Sequence, residues 1–190
     1  MPPLIGLTGG IGAGKSEALA ALERLGATTL STDGVVHELY SDPAVRDLVV
    51  ARWGAEVAPG GVVDRAAVAR RAFASEEERK WLEGVLWPRV GARVAEAREA
   101  NDGVLVVEVP LLFEAGMEAV FDETIAIVAP EELRRERAAS RGHEAVSERT
   151  SRQLTQEDKA ERATYVVTND GTVRDLESKL SVVLEKLRDR

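Results

Sequence analysis

The feature that most constrains this chain is a glycine-rich run near its N-terminus. After the apolar stretch Leu4–Thr8, positions 9–16 read Gly-Gly-Ile-Gly-Ala-Gly-Lys-Ser, which matches the pattern G-x-x-x-x-G-K-[ST]. Glycines allow backbone conformations closed to other residues, so successive N–H groups can surround a phosphate. The amphipathic stretch Lys15–Leu25 follows, and its N-terminus adds free N–H donors. A strand, a phosphate loop and a helix are therefore predicted in this order.

The loop pattern predicts which residues contact a nucleoside triphosphate. Lys15 is expected to reach the β- and γ-phosphate oxygens, and the hydroxyl of Ser16 is expected to ligate Mg²⁺. The motif alone does not separate kinases from GTPases or ATPases. The predicted cofactor-binding residues of this segment are Gly9, Gly10, Ile11, Gly12, Ala13, Gly14, Lys15, Ser16 and Glu17.

The rest of the chain alternates short apolar runs with longer amphipathic stretches, which is typical of βαβ units. We therefore expect one α/β domain with a parallel five-stranded sheet flanked by helices. Residues 42–101 show no convincing strand and are predicted to form a helical insertion, with the core at 1–41 and 102–190. After the first strand, the predicted elements are strands at Thr28–Leu30, Gly103–Val109, Thr124–Val128 and Tyr165–Thr168, and a closing helix at Thr172–Leu187.

Composition narrows the classes of partner. The net charge of −8 opposes general binding to nucleic acid or to an anionic membrane, because phosphate groups repel an acidic surface. The absence of cysteine excludes disulfides and thiolate zinc sites. Met1-Pro2-Pro3 lacks a basic leader, and no stretch approaches the ~20 apolar residues of a membrane span. We expect a cytoplasmic protein that binds neither nucleic acid nor membranes.

Acidic residues follow two of the predicted strands. Asp33 follows the second strand, where it could accept a proton from an attacking hydroxyl or orient Mg²⁺ through water. The alternative is a helix N-cap. Glu108 ends the third strand and could hold a Mg²⁺-bound water, or it could be a solvated strand terminus. Glu114 is predicted to be an acidic residue at a helix N-terminus.

Arginines crowd the segment 134–152. Arg134, Arg137 and Arg141 are spaced three and four residues apart, so they share one face of a predicted helix. Such a face can neutralise the charge that spreads over a phosphoryl group during transfer. Gly142 would permit this segment to act as a hinged lid. The alternative is a solvated helix carrying Arg–Glu pairs, since glutamates are interspersed.

Several stretches together resemble the dephospho-CoA kinase family. Gly6–Ser16 is similar to the opening of that family, and 108–114, Glu-Val-Pro-Leu-Leu-Phe-Glu, resembles its Asp-x-Pro-Leu-Leu-x-Glu segment. Arg137 and Arg141-Gly142 resemble its lid, and 166–171 resembles its closing part. The resemblance covers nearly the whole chain.

The resemblance implies a phosphotransferase that uses ATP and Mg²⁺. It would phosphorylate the ribose 3′-hydroxyl of dephospho-CoA, giving CoA and ADP, the last step of CoA synthesis. The helical insertion would bind the acceptor, and Asn169 is a candidate for reading the edge of the adenine base. We expect small-molecule partners and a monomer or weak homo-oligomer. The implied site residues are Lys15, Asp33 as general base, Arg137 and Arg141 for catalysis, Thr8, Asp33 and Arg65 for the acceptor, and Ser16 and Glu108 for the metal.

The chain departs from the family pattern at several positions. Ser31 replaces the first aspartate of an Asp-Ala-Asp stretch, Glu108 replaces an aspartate, and Trp87 replaces a histidine. One competing hypothesis is another P-loop kinase, acting on a nucleoside monophosphate or small metabolite. Another is a regulatory switch that binds GTP, although the chain has no Asn-Lys-x-Asp segment to read guanine.

Overall fold

A computed structural model of the chain describes residues 1–140 and 153–188. The chain divides into two compact units. The first unit comprises Met1–Ser31 and Ala97–Arg190, and the second comprises Thr32–Glu96.

The first unit contains a five-stranded parallel sheet, as predicted. In chain order the strands are β1 (Leu4–Gly9), β2 (Thr28–Ser31), β3 (Leu105–Glu108), β4 (Glu123–Val128) and β5 (Tyr165–Thr168). Their spatial order is β2-β3-β1-β4-β5, and every neighbouring pair is parallel. All residues of β1 and β3 are buried, which explains why their sequences are near-continuous apolar runs.

Helices cover this sheet. The helix α1 (Lys15–Arg24) follows the glycine-rich loop, and the C-terminal helix packs with α1 and the sheet into one apolar core. Leucines repeat along that C-terminal helix at Leu176, Leu180 and Leu184, and all three are buried. Among the described residues of this unit, the other helices are α6 (Glu131–Ser140), α7 (Gln156–Arg162) and the C-terminal α8 (Val173–Arg188), numbered after the α-helices of the second unit.

The second unit, all of whose residues are described, is helical and contains no strand, as the sequence predicts for most of this segment. Its helices are α2 (Thr32–Leu39), α3 (Pro43–Trp53), α4 (Arg65–Ala72) and α5 (Glu76–Glu99), and the C-terminal end of α5 belongs to the first unit. A small core of valines and alanines holds these helices together, with Trp53 and Trp81 packed against it. Across the described ranges of both units, no helix is long and apolar enough to cross a membrane.

The parallel arrangement brings the carboxyl ends of the strands to one edge of the sheet. The glycine-rich loop follows β1, and Glu108 ends the adjacent strand β3. In the register of the sheet, Glu108 lies between Leu7 of β1 and Ser31 of β2. The chain enters α6 after β4 and reaches Asn169 after β5. Functional side chains are therefore expected at this edge.

Candidate active site

The glycine-rich loop needs glycine for both conformation and space. Gly12 and Gly14 have left-handed φ angles of 74° and 93°. A Cβ atom on Gly12 would lie 2.4 Å from the carbonyl oxygen of Arg134, and one on Gly14 would lie 2.2 Å from Nδ2 of Asn169. The loop is therefore packed directly against the start of α6 and against the residue that follows β5.

Lys15 bends back over the loop. Its Nζ donates hydrogen bonds to the carbonyl oxygens of Gly9, at 3.2 Å, and of Gly10, at 3.1 Å. Lys15 is also the first residue of α1, and no side chain caps that helix at Gly14. A helix N-terminus of this kind, beside the Lys15 ammonium, suits the binding of an anion.

The residues after Lys15 differ in their surroundings. Ser16 is exposed in the first turn of α1, as a metal-ligating hydroxyl needs to be. Glu17 forms an ion pair with Arg24 at 3.2 Å on an exposed face of α1. The predicted nucleotide contact of Glu17 stays a prediction, and its carboxylate has a partner within its own helix.

Two arginines of α6 lie against the loop. Arg134 donates from Nε to the carbonyl oxygen of Ile11 at 3.0 Å, and its guanidinium lies beside Gly10. Nη1 of Arg137 is 3.8 Å from the position that a Cβ on Gly14 would occupy. Sequence reasoning named Arg137 as catalytic but did not single out Arg134, although the spacing of three placed both on one helix face. Arg141, Gly142 and the rest of the predicted lid up to residue 152 lie outside the described residues.

Asn169 is buried and engages the loop backbone. Its backbone N–H donates to the carbonyl oxygen of Val128 at 2.8 Å, which continues the pairing of β5 with β4. Its side-chain Nδ2 donates to the carbonyl oxygen of Ala13 at 2.9 Å, and the residue is 6% exposed. The side-chain amide therefore supports the loop, while a contact with the base edge stays a prediction.

Thr8 and Glu108 are buried at the ends of adjacent strands. Thr8 is fully buried, and its hydroxyl donates to the carbonyl oxygen of Pro110 at 3.3 Å. Glu108 is 9% exposed and ends β3. Its carboxylate and the hydroxyl of Ser16 are hard oxygen donors of the kind that Mg²⁺ takes in proteins. The acceptor contact of Thr8 and the metal role of both oxygen donors stay predictions.

The prediction that Glu114 begins a helix is wrong. Residues 110–116 form successive turns that end at Gly116, whose φ of 64° is left-handed. Oε1 of Glu114 accepts from the backbone N–H of Leu154 at 2.8 Å and lies 3.0 Å from Nζ of Lys159. Burial lowers the pKa of Lys159 and the Glu114 carboxylate opposes that shift. No sequence motif pointed to Lys159.

In the second unit, His37 lies on the same helix as the predicted base Asp33 and forms a hydrogen bond with Arg65, the predicted acceptor-binding arginine. Asp33 is exposed in the first turn of α2, and His37 lies one turn further on the same helix face. Nη1 of Arg65 is 2.7 Å from Nδ1 of His37, and since a guanidinium only donates, the ring nitrogen accepts. Burial raises the pKa of nearby Tyr40, while the charge of Arg65 acts in the opposite direction. His37 was not a predicted site residue, and its spacing of four from Asp33 was the available signal.

Comparison with known proteins covers almost the entire chain. The sequence profile of the dephospho-CoA kinase family matches residues 3–175. A dephospho-CoA kinase of Deinococcus radiodurans is 39% identical over 194 aligned positions, which span 98% of this chain and 93% of that protein. The crystal structure of TT1252 from Thermus thermophilus superposes with a TM-score of 0.84 at 35% identity, covering 98% of both chains. A dephospho-CoA kinase from Campylobacter jejuni has the same fold, with a TM-score of 0.72 at 24% identity over 100% of this chain and 98% of that one.

Proposed function

Because the chain belongs to the dephospho-CoA kinase family, we propose that it transfers the γ-phosphoryl group of ATP to the 3′-hydroxyl of dephospho-CoA, the final step of coenzyme A synthesis. The observation that carries the proposal is the extent of the family match, which runs over residues 3–175 and so includes the phosphate loop and the whole helical unit 32–96. The phosphate loop alone supports any nucleoside triphosphate enzyme, whereas the match across both units supports this acceptor.

The described cations suit phosphoryl transfer from ATP. Negative charge spreads over the γ-phosphoryl oxygens as the bond to ADP breaks, and fixed cations stabilise it. Lys15 lies over the carbonyl groups of the loop, Arg134 contacts the loop from α6, and Nη1 of Arg137 lies 3.8 Å from the position that a Cβ on Gly14 would occupy. We assign transition-state stabilisation to Lys15 and Arg137, with Arg141 as a further candidate. Arg134 supports the loop through its bond to Ile11.

Ser16 and Glu108 would hold the Mg²⁺ that accompanies ATP. A hydroxyl at the start of α1 and a carboxylate at the end of the adjacent β3 provide oxygen ligands, which fit a hard cation. When bound, Mg²⁺ supplies positive charge that neutralises the phosphate oxygens. Glu108 is one methylene longer than the aspartate of the family pattern, so its carboxylate would shift any contact with a metal-bound water.

The acceptor would be handled by the second unit. Asp33 would take the proton of the 3′-hydroxyl as that oxygen attacks, which requires an exposed and ionised carboxylate. Arg65 would bind anionic groups of dephospho-CoA, since a guanidinium forms paired hydrogen bonds with phosphate oxygens. The bond between Arg65 and His37 holds that guanidinium beside α2, the helix that carries Asp33.

A coupled assay of ADP release over a panel of acceptors tests the proposed substrate. We expect turnover with dephospho-CoA that depends on Mg²⁺, and little with nucleoside monophosphates or shikimate. Turnover of a nucleoside monophosphate without turnover of dephospho-CoA would show that the acceptor is wrong. Binding of GTP in preference to ATP, with no acceptor phosphorylated, would support the nucleotide-switch alternative.

The role of Asp33 is tested by Asp33→Asn, with Asp47→Asn as the matched control in the same unit. Asp47 is exposed and pairs with its neighbour Arg46. Loss of a general base lowers kcat by roughly 10²–10⁴-fold, so Asp33→Asn should lose turnover while its ATP affinity stays near wild type. Asp47→Asn should keep both. Full activity in Asp33→Asn would leave Asp33 with a structural role only.

A further inference from the structure

A buried lysine near the phosphate loop has no role in the proposed chemistry. Lys159 lies on α7 and has no exposed surface. Its Nζ donates to the carbonyl oxygen of Pro110 at 2.6 Å and to Oγ1 of Thr8 at 3.4 Å, and it lies 3.0 Å from Oε1 of Glu114. An ammonium has three protons, so these three oxygens satisfy it fully.

A gain in folding stability is not a sufficient reason for a buried ion pair such as Lys159–Glu114. Removing an ammonium from water is costly, and a buried ion pair is often no more stable than apolar side chains of similar volume. The surroundings supply an apolar frame, because Leu112 and Phe113 of the adjoining turn are both buried. What a charged group provides here, and an apolar one does not, is direction: each oxygen partner is held at a defined place around one nitrogen.

The partners of Lys159 come from two segments, the end of β1 and the turns at 110–116. Thr8 immediately precedes Gly9, the first residue of the loop. Pro110 follows β3, two residues after the candidate metal ligand Glu108. Glu114 also accepts from the backbone N–H of Leu154, just before α7 begins. The ammonium therefore connects the end of β1 to the turns that follow β3, and Glu114 extends this connection to the residue Leu154 before α7.

Lys159 does not itself contact the phosphates. It is fully buried, and protein oxygens occupy all three of its hydrogen-bond directions. Any effect on transfer must pass through Thr8 and Pro110 to the loop and to Glu108.

We propose that Lys159 is a positioning residue for phosphoryl transfer, which sets the phosphate loop and the Glu108 end of β3 relative to each other through Thr8, Pro110 and Glu114. This inference rests on the proposed function for its effect on turnover. Its effect on ATP affinity does not depend on the identity of the acceptor. Loss of the ammonium should therefore weaken ATP binding and lower kcat, beyond any loss of thermal stability.

The absence of cysteine from the chain permits a matched chemical test. In Lys159→Cys, the only thiol can be alkylated in the unfolded chain and the protein refolded. Bromoethylamine restores a lysine-like ammonium, whereas iodopropane gives a side chain of the same length that ends in a methyl group. The refolded wild-type chain is the reference. A variant at the C-terminal end of α8, Leu187→Ala, removes buried apolar surface without touching Lys159 or its oxygen partners, and shows how a loss of stability alone affects the assays.

The two alkylated forms should differ in function. We expect the aminoethyl form to recover most of the wild-type kcat and ATP affinity, and the propyl form to be at least tenfold lower in both. Leu187→Ala should melt at a lower temperature and keep wild-type ATP affinity while folded. Equal ATP affinity and kcat in the two alkylated forms would overturn the proposal, because filling the space would then be sufficient.

A second variant and a second readout keep the test decisive. Lys159→Met is expressed directly, without refolding, and should show the same losses as the propyl form. Folded Lys159→Met with wild-type kcat and ATP affinity would also overturn the proposal. If the wild-type chain fails to phosphorylate dephospho-CoA, the proposed function fails, and ATP affinity alone then decides the role of Lys159.

Discussion

Replacing Gly12 by alanine separates the conformational requirement of the phosphate loop from its packing requirement. Gly116 provides the matched control, because both glycines belong to the first unit and have left-handed φ angles, 74° at Gly12 and 64° at Gly116. A non-glycine residue in this conformation costs about 1–2 kcal/mol. At Gly116 no atom of the described part of the chain lies within 4 Å of the added Cβ, so Gly116→Ala should lose only this amount of folding free energy.

At Gly12 the added Cβ meets backbone atoms. It would lie 2.4 Å from the carbonyl oxygen and 2.9 Å from the Cα of Arg134, so either the loop or α6 must move. Overpacking of this kind costs about 1–3 kcal/mol. If the shape of the loop holds the phosphates, as proposed, and if binding restores the original loop, a displacement of this cost corresponds to roughly a 5- to 150-fold loss of ATP affinity.

Urea unfolding and calorimetric titration with ATP measure the two effects. Gly116→Ala should show reduced stability with wild-type ATP affinity, and Gly12→Ala should show reduced stability together with weaker ATP binding. If Gly12→Ala bound ATP as tightly as Gly116→Ala, the close packing of α6 on the loop would not be a determinant of nucleotide binding, and the reasoning would be refuted.

Three further outcomes are expected. Asn169→Ala should weaken ATP and GTP binding by the same factor, because the lost hydrogen bond supports the loop and does not contact the base. A loss of about 1–2 kcal/mol corresponds to roughly five- to thirtyfold in affinity. A larger loss for one nucleotide than for the other would indicate that Asn169 recognises the base. Arg134→Met should weaken ATP binding about fivefold, because it loses a hydrogen bond worth about 1 kcal/mol. The control Arg135→Met, which changes the exposed neighbouring arginine, should leave ATP affinity unchanged. Equal losses of affinity in the two variants would contradict the role of the contact between Arg134 and the loop. Hydrogen bonds from Arg52 and Trp53 hold the pKa of the Glu78 carboxyl below its ordinary value. The ionised carboxylate therefore stabilises the folded chain at a pH above the ordinary glutamate pKa, and this stabilisation is lost as the pH falls through the pKa of Glu78 in the folded chain. Glu78→Gln should reduce the pH dependence of the free energy of unfolding, measured by tryptophan fluorescence, whereas the control Glu96→Gln should not. An unchanged pH dependence in Glu78→Gln would show that the Glu78 carboxylate is not its cause.

Much of the fold could be predicted because parallel strands carry a local signal. A strand buried on both faces must be apolar throughout, so the run Val104–Val107 can be recognised as a strand without knowing which strands lie beside it. The ends of strands carry a weaker signal. The third strand was predicted at Gly103–Val109, whereas β3 covers Leu105–Glu108, which is the range paired with β1. Pairing with a neighbour sets strand ends, and a single segment does not show where its neighbour stops.

The contacts around the loop could not be predicted because they join distant parts of the chain. Arg134 is 123 residues from Ile11, Lys159 is 151 from Thr8, and Asn169 lies 156 from Ala13. A residue type alone does not name its partner at such separations. Glu114 shows the consequence: it was predicted to be an acidic residue at a helix N-terminus, whereas its partner is a buried lysine on α7.

The local sequence was sufficient to predict the phosphate loop, the strand before it and the helix after it. Glycine conformation, backbone donors and helix initiation are properties of neighbouring residues, so a stretch of about 20 residues contains them all. The tertiary structure decided what surrounds that loop. Because β4 lies beside β1 and β5 beside β4, α6 and Asn169 are brought to the loop that follows β1, and Lys159 reaches Thr8. Strand order arises from the packing of the whole chain, and it brings Arg134 and Asn169 to the phosphate loop and Lys159 to the residue before it.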